Sequence, residues 1–133
     1  MNNYIEILKK LNIKASNNGD IPVSAIILKD NKLVSKAYNK KYKNNNPLDH
    51  AEIIAIKKAC KVLKTTNLID CTLIVTLKPC NMCKELIKEV RLKKVYYILD
   101  NDKVVNDTTK YEKIEDSAEY FNKELISFFR DKR

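Results

Sequence analysis

Apolar residues recur along the chain with two different periods, and the switches between them lay out a series of elements. Over residues 2–16, Tyr4, Leu8, Leu11 and Ala15 fall at helical spacing while Lys9, Lys10 and Lys14 take other positions, which predicts an amphipathic helix. Asn17-Asn18-Gly19-Asp20 ends it, and Gly19 is the only glycine in the chain. Residues 21–28 are β-branched and apolar, Asp30-Asn31-Lys32 reads as a turn, and residues 33–38 as a second strand. The polar run 39–46, closed by Pro47, predicts a loop. Across 49–64, Ile53, Ile56, Ala59, Cys60 and Leu63 line one face of a second helix. Residues 71–77 are nearly continuous apolar sequence, as in a strand buried on both faces. A third helix is predicted over 79–90 with Pro79 in its first turn, followed by another buried strand at 95–99. Residues 110–114 predict a short edge strand. A final amphipathic helix over 117–130 would use Tyr120, Phe121, Leu125, Phe128 and Phe129.

This order predicts an α/β domain of three layers, α/β/α, around a mixed five-stranded sheet. At 133 residues the chain is expected to form one domain over residues 1–133, with a core that needs no disulfides. No stretch approaches the roughly 20 apolar residues of a membrane span. The opening Met1-Asn2-Asn3-Tyr4-Ile5-Glu6 lacks the pattern of a signal peptide, so the expectation is a cytoplasmic protein with no membrane partner. In such a compartment the four cysteines are expected to be thiols or metal ligands.

Charge alters this picture. The formal net charge is +9, almost all of the excess is lysine, and such a field attracts polyanions. Richness in Asn and Ile points to a coding bias, which explains lysine in place of arginine but not the excess of bases over acids.

The residues with chemistry are few. His50, the only histidine, stands in His50-Ala51-Glu52 at the start of a predicted helix, and Pro79-Cys80-Asn81-Met82-Cys83 opens the next. Two thiolates and one imidazole suit Zn²⁺ with a fourth position left for water, the pattern of a catalytic site. Cys80 and Cys83, at i and i+3, face the same way in a first turn. His50 and Glu52, at i and i+2, can approach one point only if it lies off the helix N-terminus. Two helix N-termini are therefore expected to converge on one metal, where their dipoles also favour thiolate. Two thiolates would cancel the charge of Zn²⁺ and leave its water less polarised. A carboxylate must then take the proton, and Glu52 is placed to do so. The competing assignment is an all-cysteine zinc site that adds Cys60 and Cys71; their places on an apolar helix face and in a buried strand suit core thiols.

His-x-Glu followed by Pro-Cys-x-x-Cys matches the signature of zinc nucleobase deaminases. More of the chain resembles one family, the bacterial tRNA-specific adenosine deaminases. Asp20-Ile21-Pro22-Val23-Ser24-Ala25 resembles its E-V-P-V-G-A, Ala37-Tyr38-Asn39 its G-W-N, and Asn46-Pro47-Leu48-Asp49-His50-Ala51-Glu52 its D-P-T-A-H-A-E. Ile69-Asp70-Cys71-Thr72-Leu73 is similar to I-D-A-T-L, residues 75–83 to V-T-L-E-P-C-V-M-C, and Ser127-Phe128-Phe129-Arg130 to D-F-F-R. The resemblance implies a cytidine-deaminase-like fold and a single zinc-dependent deaminase domain. The implied reaction converts adenosine to inosine at the wobble position of an arginine tRNA anticodon. His50, Cys80 and Cys83 would hold one Zn²⁺ per chain, with Glu52 as proton shuttle. Asn39 would hydrogen-bond the flipped purine, although it could equally be a turn residue. Val23 and Ala51 would line the base pocket, with plain core packing as the alternative. Phe128, Phe129 and Arg130 would contact the tRNA anticodon stem-loop; for the two phenylalanines a buried helix face is the alternative. The family also implies a homodimer.

The chain departs from the family in three places. Lys78 replaces the acidic residue before Pro79, Ser24 replaces a glycine, and after Leu99 the family's R-D-x-K-x-G-A-A-G-S loop has no counterpart, although residues 100–103 offer a partial replacement. Residues 40–43 and 130–133 are basic and suited to gripping phosphates, with Tyr42 available for stacking. The rival functions are deamination of a free base or nucleoside, guanine or cytidine, and a non-catalytic zinc protein that binds RNA.

Overall fold

A computed structural model of the chain describes residues 2–100 and 109–131. The elements run α1 Asn2–Asn17, β1 Ser24–Lys29, β2 Lys32–Tyr38, α2 Ala51–Leu63, β3 Cys71–Leu77, α3 Asn81–Glu89, β4 Lys94–Leu99, β5 Lys110–Lys113 and α4 Ala118–Asp131. The strands form one mixed sheet in the order β2-β1-β3-β4-β5. β1 is antiparallel to β2 and to β3, whereas β3–β4 and β4–β5 are parallel. Parallel neighbours need a crossover, and α3 supplies the one between β3 and β4.

Alternation along the strands sorts side chains onto two faces. Ala25 and Ile27 of β1 point into a core covered by α2 and α3, with Leu73, Val75, Val95, Ala55, Ala59 and Ile87. Ile26 and Leu28 point the other way, to Leu8 and Leu11 of α1, Ile74, Ile98 and Phe121 of α4. The expected three layers are thus present, and β3, central in the sheet, is buried nearly throughout.

Turn chemistry matches the sequence at Asp30 and Asn31, whose φ of 52° and 62° close the two-residue hairpin between the paired Lys29 and Lys32. Because the chain has one glycine, other left-handed positions fall to bulkier residues: Lys64 caps the end of α2 at φ 53°, Arg91 follows α3 at φ 66°, and Ser117 precedes α4 at φ 67°.

Three expectations need adjusting. β1 begins at Ser24 and not at residue 21, because residues 21–23 bond locally, Val23 N–H to the Ile21 carbonyl at 2.8 Å. α3 begins at Asn81 with Cys80 as its N-cap, so Pro79 lies before the helix and not within its first turn. In α4 only Phe121 is fully buried; Tyr120 and Phe129 are 39% and 51% exposed. The suggestion that residues 100–103 replace a family loop falls, beyond Asp100, outside the described residues, as do positions 132 and 133 of the basic C-terminal run. Among the described residues, no helix is long and apolar enough to cross a membrane.

Candidate active site

The loop between β2 and α2 is pinned by its own polar residues and by Asp20 from the segment before β1. The Asp20 carboxylate, fully buried, accepts from the backbone N–H of Tyr42 at 2.6 Å and of Lys43 at 3.2 Å. The Lys40 N–H bonds the Asp49 carbonyl at 3.0 Å, and the Asn44 amide donates to the Asp49 carboxylate at 2.8 Å. This delivers His50 to the N-cap of α2 in extended conformation, φ −70° and ψ 152°. On the other side β3 ends at Leu77, and Cys80 becomes the N-cap of α3 with φ −72° and ψ 173°. Neither side chain caps its own helix. They turn off the two helix ends toward each other.

The result is a triangle of donors. The Cys80 and Cys83 sulfurs are 3.8 Å apart, and His50 Nδ1 lies 3.8 Å from Cys80 Sγ and 3.5 Å from Cys83 Sγ. Zn–S bonds of about 2.3 Å and Zn–N bonds of about 2.0 Å at tetrahedral angles place sulfurs about 3.8 Å apart and each S–N pair about 3.5 Å apart. The three edges fit one face of such a tetrahedron. Among the described residues this is the one group of three His, Cys, Asp or Glu whose ligand atoms all lie within 4.8 Å. Cys60 and Cys71 stand outside it, and burial pushes both thiols up, as for core residues.

Electrostatics agree with a cation site. Burial pushes the Cys83 thiol well above its ordinary range, and the Glu52 charge and Cys80 add to the effect. Protein groups alone would therefore keep the thiol protonated, and a divalent cation is what would reverse this. Burial, with Lys41 second, lowers His50, which favours the neutral imidazole a metal needs. Glu52 is buried with its carboxyl against Cys83; burial raises its pKa, opposed by hydrogen bonds from its own backbone N–H and from Cys83. The carboxyl thus borders the donor triangle without belonging to it.

The remaining candidates divide. Asn39 is buried, its N–H bonded to the Val23 carbonyl at 2.9 Å, and its side-chain Oδ1 is buried without a partner. Val23 and Ala51 are buried in the α2/α3 core. Phe128 and Phe129 stand edge to face, ring centres 5.4 Å apart, and with Tyr42, Ile21, Asn18 and Gly19 line a groove of about 450 Å³. Arg130 is exposed beside Asp131. Ser24 faces away from the site: its hydroxyl donates to the Leu8 carbonyl at 3.0 Å, so the side chain is accommodated in the α1 layer. Lys78 Nζ stacks over Tyr97 at 5.0 Å and Tyr111 at 5.7 Å. Asp20 was not a sequence candidate, yet it holds the loop that carries His50; an acid just ahead of Ile21-Pro22 in the matched motif was the available signal.

Residues 1–99 match the zinc-binding region of the cytidine and deoxycytidylate deaminases, and the chain belongs to that family of zinc-dependent hydrolytic deaminases. It is 40% identical over 119 residues to a tRNA-specific adenosine deaminase of Rickettsia bellii, covering 88% of this chain and 77% of that one. The solved structure of a guanine deaminase from Bacillus subtilis superposes with a TM-score of 0.65 at 29% identity, over 93% of this chain and 91% of that one. A structure from work on A-to-I editing by tRNA:A34 deaminases at the wobble position of transfer RNA superposes with a TM-score of 0.77, over 85% of this chain and 98% of that one. At 22% identity that likeness concerns the fold, which is cytidine-deaminase-like.

Proposed function

We propose that the protein deaminates adenosine to inosine at the wobble position of a tRNA anticodon, with an arginine tRNA as the first candidate. The observation that carries the deaminase chemistry is the meeting of His50, Cys80 and Cys83 at two helix N-termini with the buried Glu52 carboxyl against Cys83. The adenosine and tRNA parts lean on the Rickettsia relative and on Asn39, whose unpartnered Oδ1 suits an amino or ring N–H donor of a purine.

His50, Cys80 and Cys83 would hold the zinc. When bound, zinc supplies a water acidic enough to act as nucleophile at neutral pH. With zinc held there, Glu52 would take a proton from the attacking water and hand it to the purine ring nitrogen. Glu52 would then pass the second proton of that water to the amino group, whose bond to the ring carbon breaks as ammonia leaves. Asn39 orients the base, and Val23 and Ala51 wall its pocket. Phe128, Phe129, Tyr42 and Arg130 would meet the flanking nucleotides. Leu48 and Met82, 54% and 37% exposed although large and apolar, adjoin the ligand residues and fit a homodimer that closes over the site. We place the working enzyme in the cytoplasm as a single domain over residues 1–133.

A second reading, deamination of free guanine, draws on the Bacillus subtilis guanine deaminase structure. The test is inosine formation in an arginine tRNA transcript whose anticodon begins with A, with free guanine and adenosine assayed in parallel. Inosine at that position is expected, and Glu52→Gln is expected to lower turnover by roughly 10²–10⁴-fold while retaining one zinc per chain. Turnover of guanine without inosine in the transcript would replace the tRNA reading by the second one. Full activity in Glu52→Gln would refute the proton shuttle.

A further inference from the structure

Positive charge is distributed unevenly over the chain. Residues 31–69 contain nine lysines and two acids, and so hold seven of the nine excess charges. Both acids are engaged inside the protein: Asp49 is buried and takes the Asn44 amide, and Glu52 lies in the active site. Elsewhere several lysines, though not all, are answered by acids, as in Lys9–Glu6, Lys88–Glu85, Lys94–Glu112, Lys113–Asp100 and Lys123–Glu119. Among the described residues, no lysine between positions 31 and 69 has an ion-pair partner.

Lys36, Lys40, Lys57, Lys58 and Lys61 line grooves along one seam of the fold. β2 is an edge strand, and α2 packs over it, Ser35 Oγ bonding the Ala55 carbonyl at 2.8 Å. Lysines on an edge strand keep it from pairing with other strands, which accounts for Lys32 and Lys36. It does not account for Lys57, Lys58, Lys61 and Lys64 on and after the helix. Lys58 bridges the seam, its Nζ donating to the Lys36 carbonyl at 3.1 Å. Two grooves run along it: one of about 230 Å³ between Lys40, Asn44, Lys57 and Lys58, with the largely buried Asp49 also in its lining, and one of about 420 Å³ between Leu33, Ser35, Lys36 and Val62. Lys58 and Lys61 line both, so the two grooves are neighbours along the seam, and Lys40, which follows Asn39 in the chain, lines the smaller one. The Lys58 ammonium is held below the usual lysine range by burial first and then by Lys40, with Lys36 acting in the same direction and Tyr38 against it. Cations crowded in this way would be relieved by a polyanion.

We propose that the β2–α2 seam is a second RNA-binding surface, which grips the phosphate backbone of the substrate RNA beyond the nucleotides that enter the active site. The proposal rests on the RNA substrate reading above. The seven residues of β2 span about 20 Å, a length that one phosphate or nucleotide would not fill. One strand of a DNA duplex carries a phosphate every 3.4 Å or so of axis, and an A-form RNA stem packs them at a shorter rise, so several phosphates fall within that length. The seam thus suits a helical stem better than a small anion.

The experiment titrates zinc-loaded protein with a fluorescent arginine tRNA transcript over a range of salt concentrations. The parent is compared with a Lys36→Gln, Lys58→Gln, Lys61→Gln variant and with a control carrying Lys9→Gln, Lys10→Gln and Lys14→Gln on α1. The seam variant is expected to bind about tenfold more weakly at low salt, with a slope of log K against log salt shallower by about two. The control is expected to stay within about twofold of the parent. Parental affinity and slope in the seam variant, or an equal loss in the control, would overturn the proposal. A second measurement needs no variant: RNA should protect Lys58 and Lys61 of the parent from acetylation, and equal labelling with and without RNA would also overturn it. Both readouts report binding, so the two readings fail separately. Inosine formed with an unchanged slope would remove the seam alone, and seam-dependent binding without inosine would remove the substrate reading alone.

Discussion

The two faces of the sheet bury apolar side chains in the same way and treat polar ones differently. On the α1/α4 face buried polar groups mostly tie elements together: the Asn12 amide donates to the Pro22 carbonyl at 2.9 Å and to Glu124 at 2.8 Å, although its own Oδ1 is buried without a partner, and Ser24 holds Leu8. On the α2/α3 side four ionisable groups, His50, Glu52, Cys80 and Cys83, meet at one point, and the Asn39 carbonyl oxygen has no partner in the protein. Burying such groups without compensation costs free energy, so their arrangement makes physical sense only if something else completes it. One face stabilises the fold and the other spends part of that stability on a site.

That division can be broken in graded steps. Cys83→Ala should have the largest effect, with zinc content well below one per chain and turnover at background; a variant that kept both would mean the metal is held elsewhere. Phe121→Ala, on the opposite face, should cost about 3–5 kcal/mol of stability by denaturant titration while the folded fraction keeps its zinc and its kcat. Equal loss of zinc there would show that the faces are coupled. Asn39→Ala should leave zinc and stability nearly unchanged and lower kcat/KM by about 10–100-fold, the worth of one buried hydrogen bond to the base. A drop in melting temperature without a kinetic effect would assign Asn39 to the turn. Glu124→Gln should give the smallest effect, and it depends on pH. Burial raises the Glu124 carboxyl, against the opposing hydrogen bond from Asn12. The folded protein therefore binds that proton more tightly than the unfolded chain, and the group's contribution to stability falls as pH rises through its range. The variant should melt slightly higher than the parent near pH 7, with the difference vanishing below the ordinary glutamate pKa; the reverse pH trend would contradict the assignment.

The α2/α3 side was the more legible in sequence. A lone histidine with a glutamate two places on, and Pro-Cys-x-x-Cys after the next strand, are spacings that survive without knowledge of the fold. The convergence of two helix N-termini followed from the i, i+2 separation of His50 and Glu52 alone. The β1–β2 hairpin was legible from its turn at Asp30-Asn31, whereas the strand order was not, because β1 and β3 are buried on both faces and carry no alternation that names their neighbours. Less legible was α4, where five aromatic and aliphatic residues share one helical stripe and only packing against α1 and the sheet decides that Phe121 goes in and Phe129 stays out. The lysine seam was also hidden, because Lys36 lies 22 residues from Lys58 and meets it and Lys61 only when α2 lies on β2. The role of Asp20 was missed because its partners are backbone N–H groups, so the matched motif marked an acid there without saying what it holds.

The shortage of glycine at the turns has a practical side. Outside glycine, asparagine and aspartate, a left-handed residue costs roughly 1 kcal/mol, and Lys64, Arg91 and Ser117 all carry that cost. Lys64 and Arg91 sit past the C-terminal ends of α2 and α3, a full helix length from the donor triangle. They form an untapped reserve of thermal headroom. An engineer who relaxed these joints first could afterwards reshape the base pocket with substitutions that the parent chain would be too fragile to tolerate.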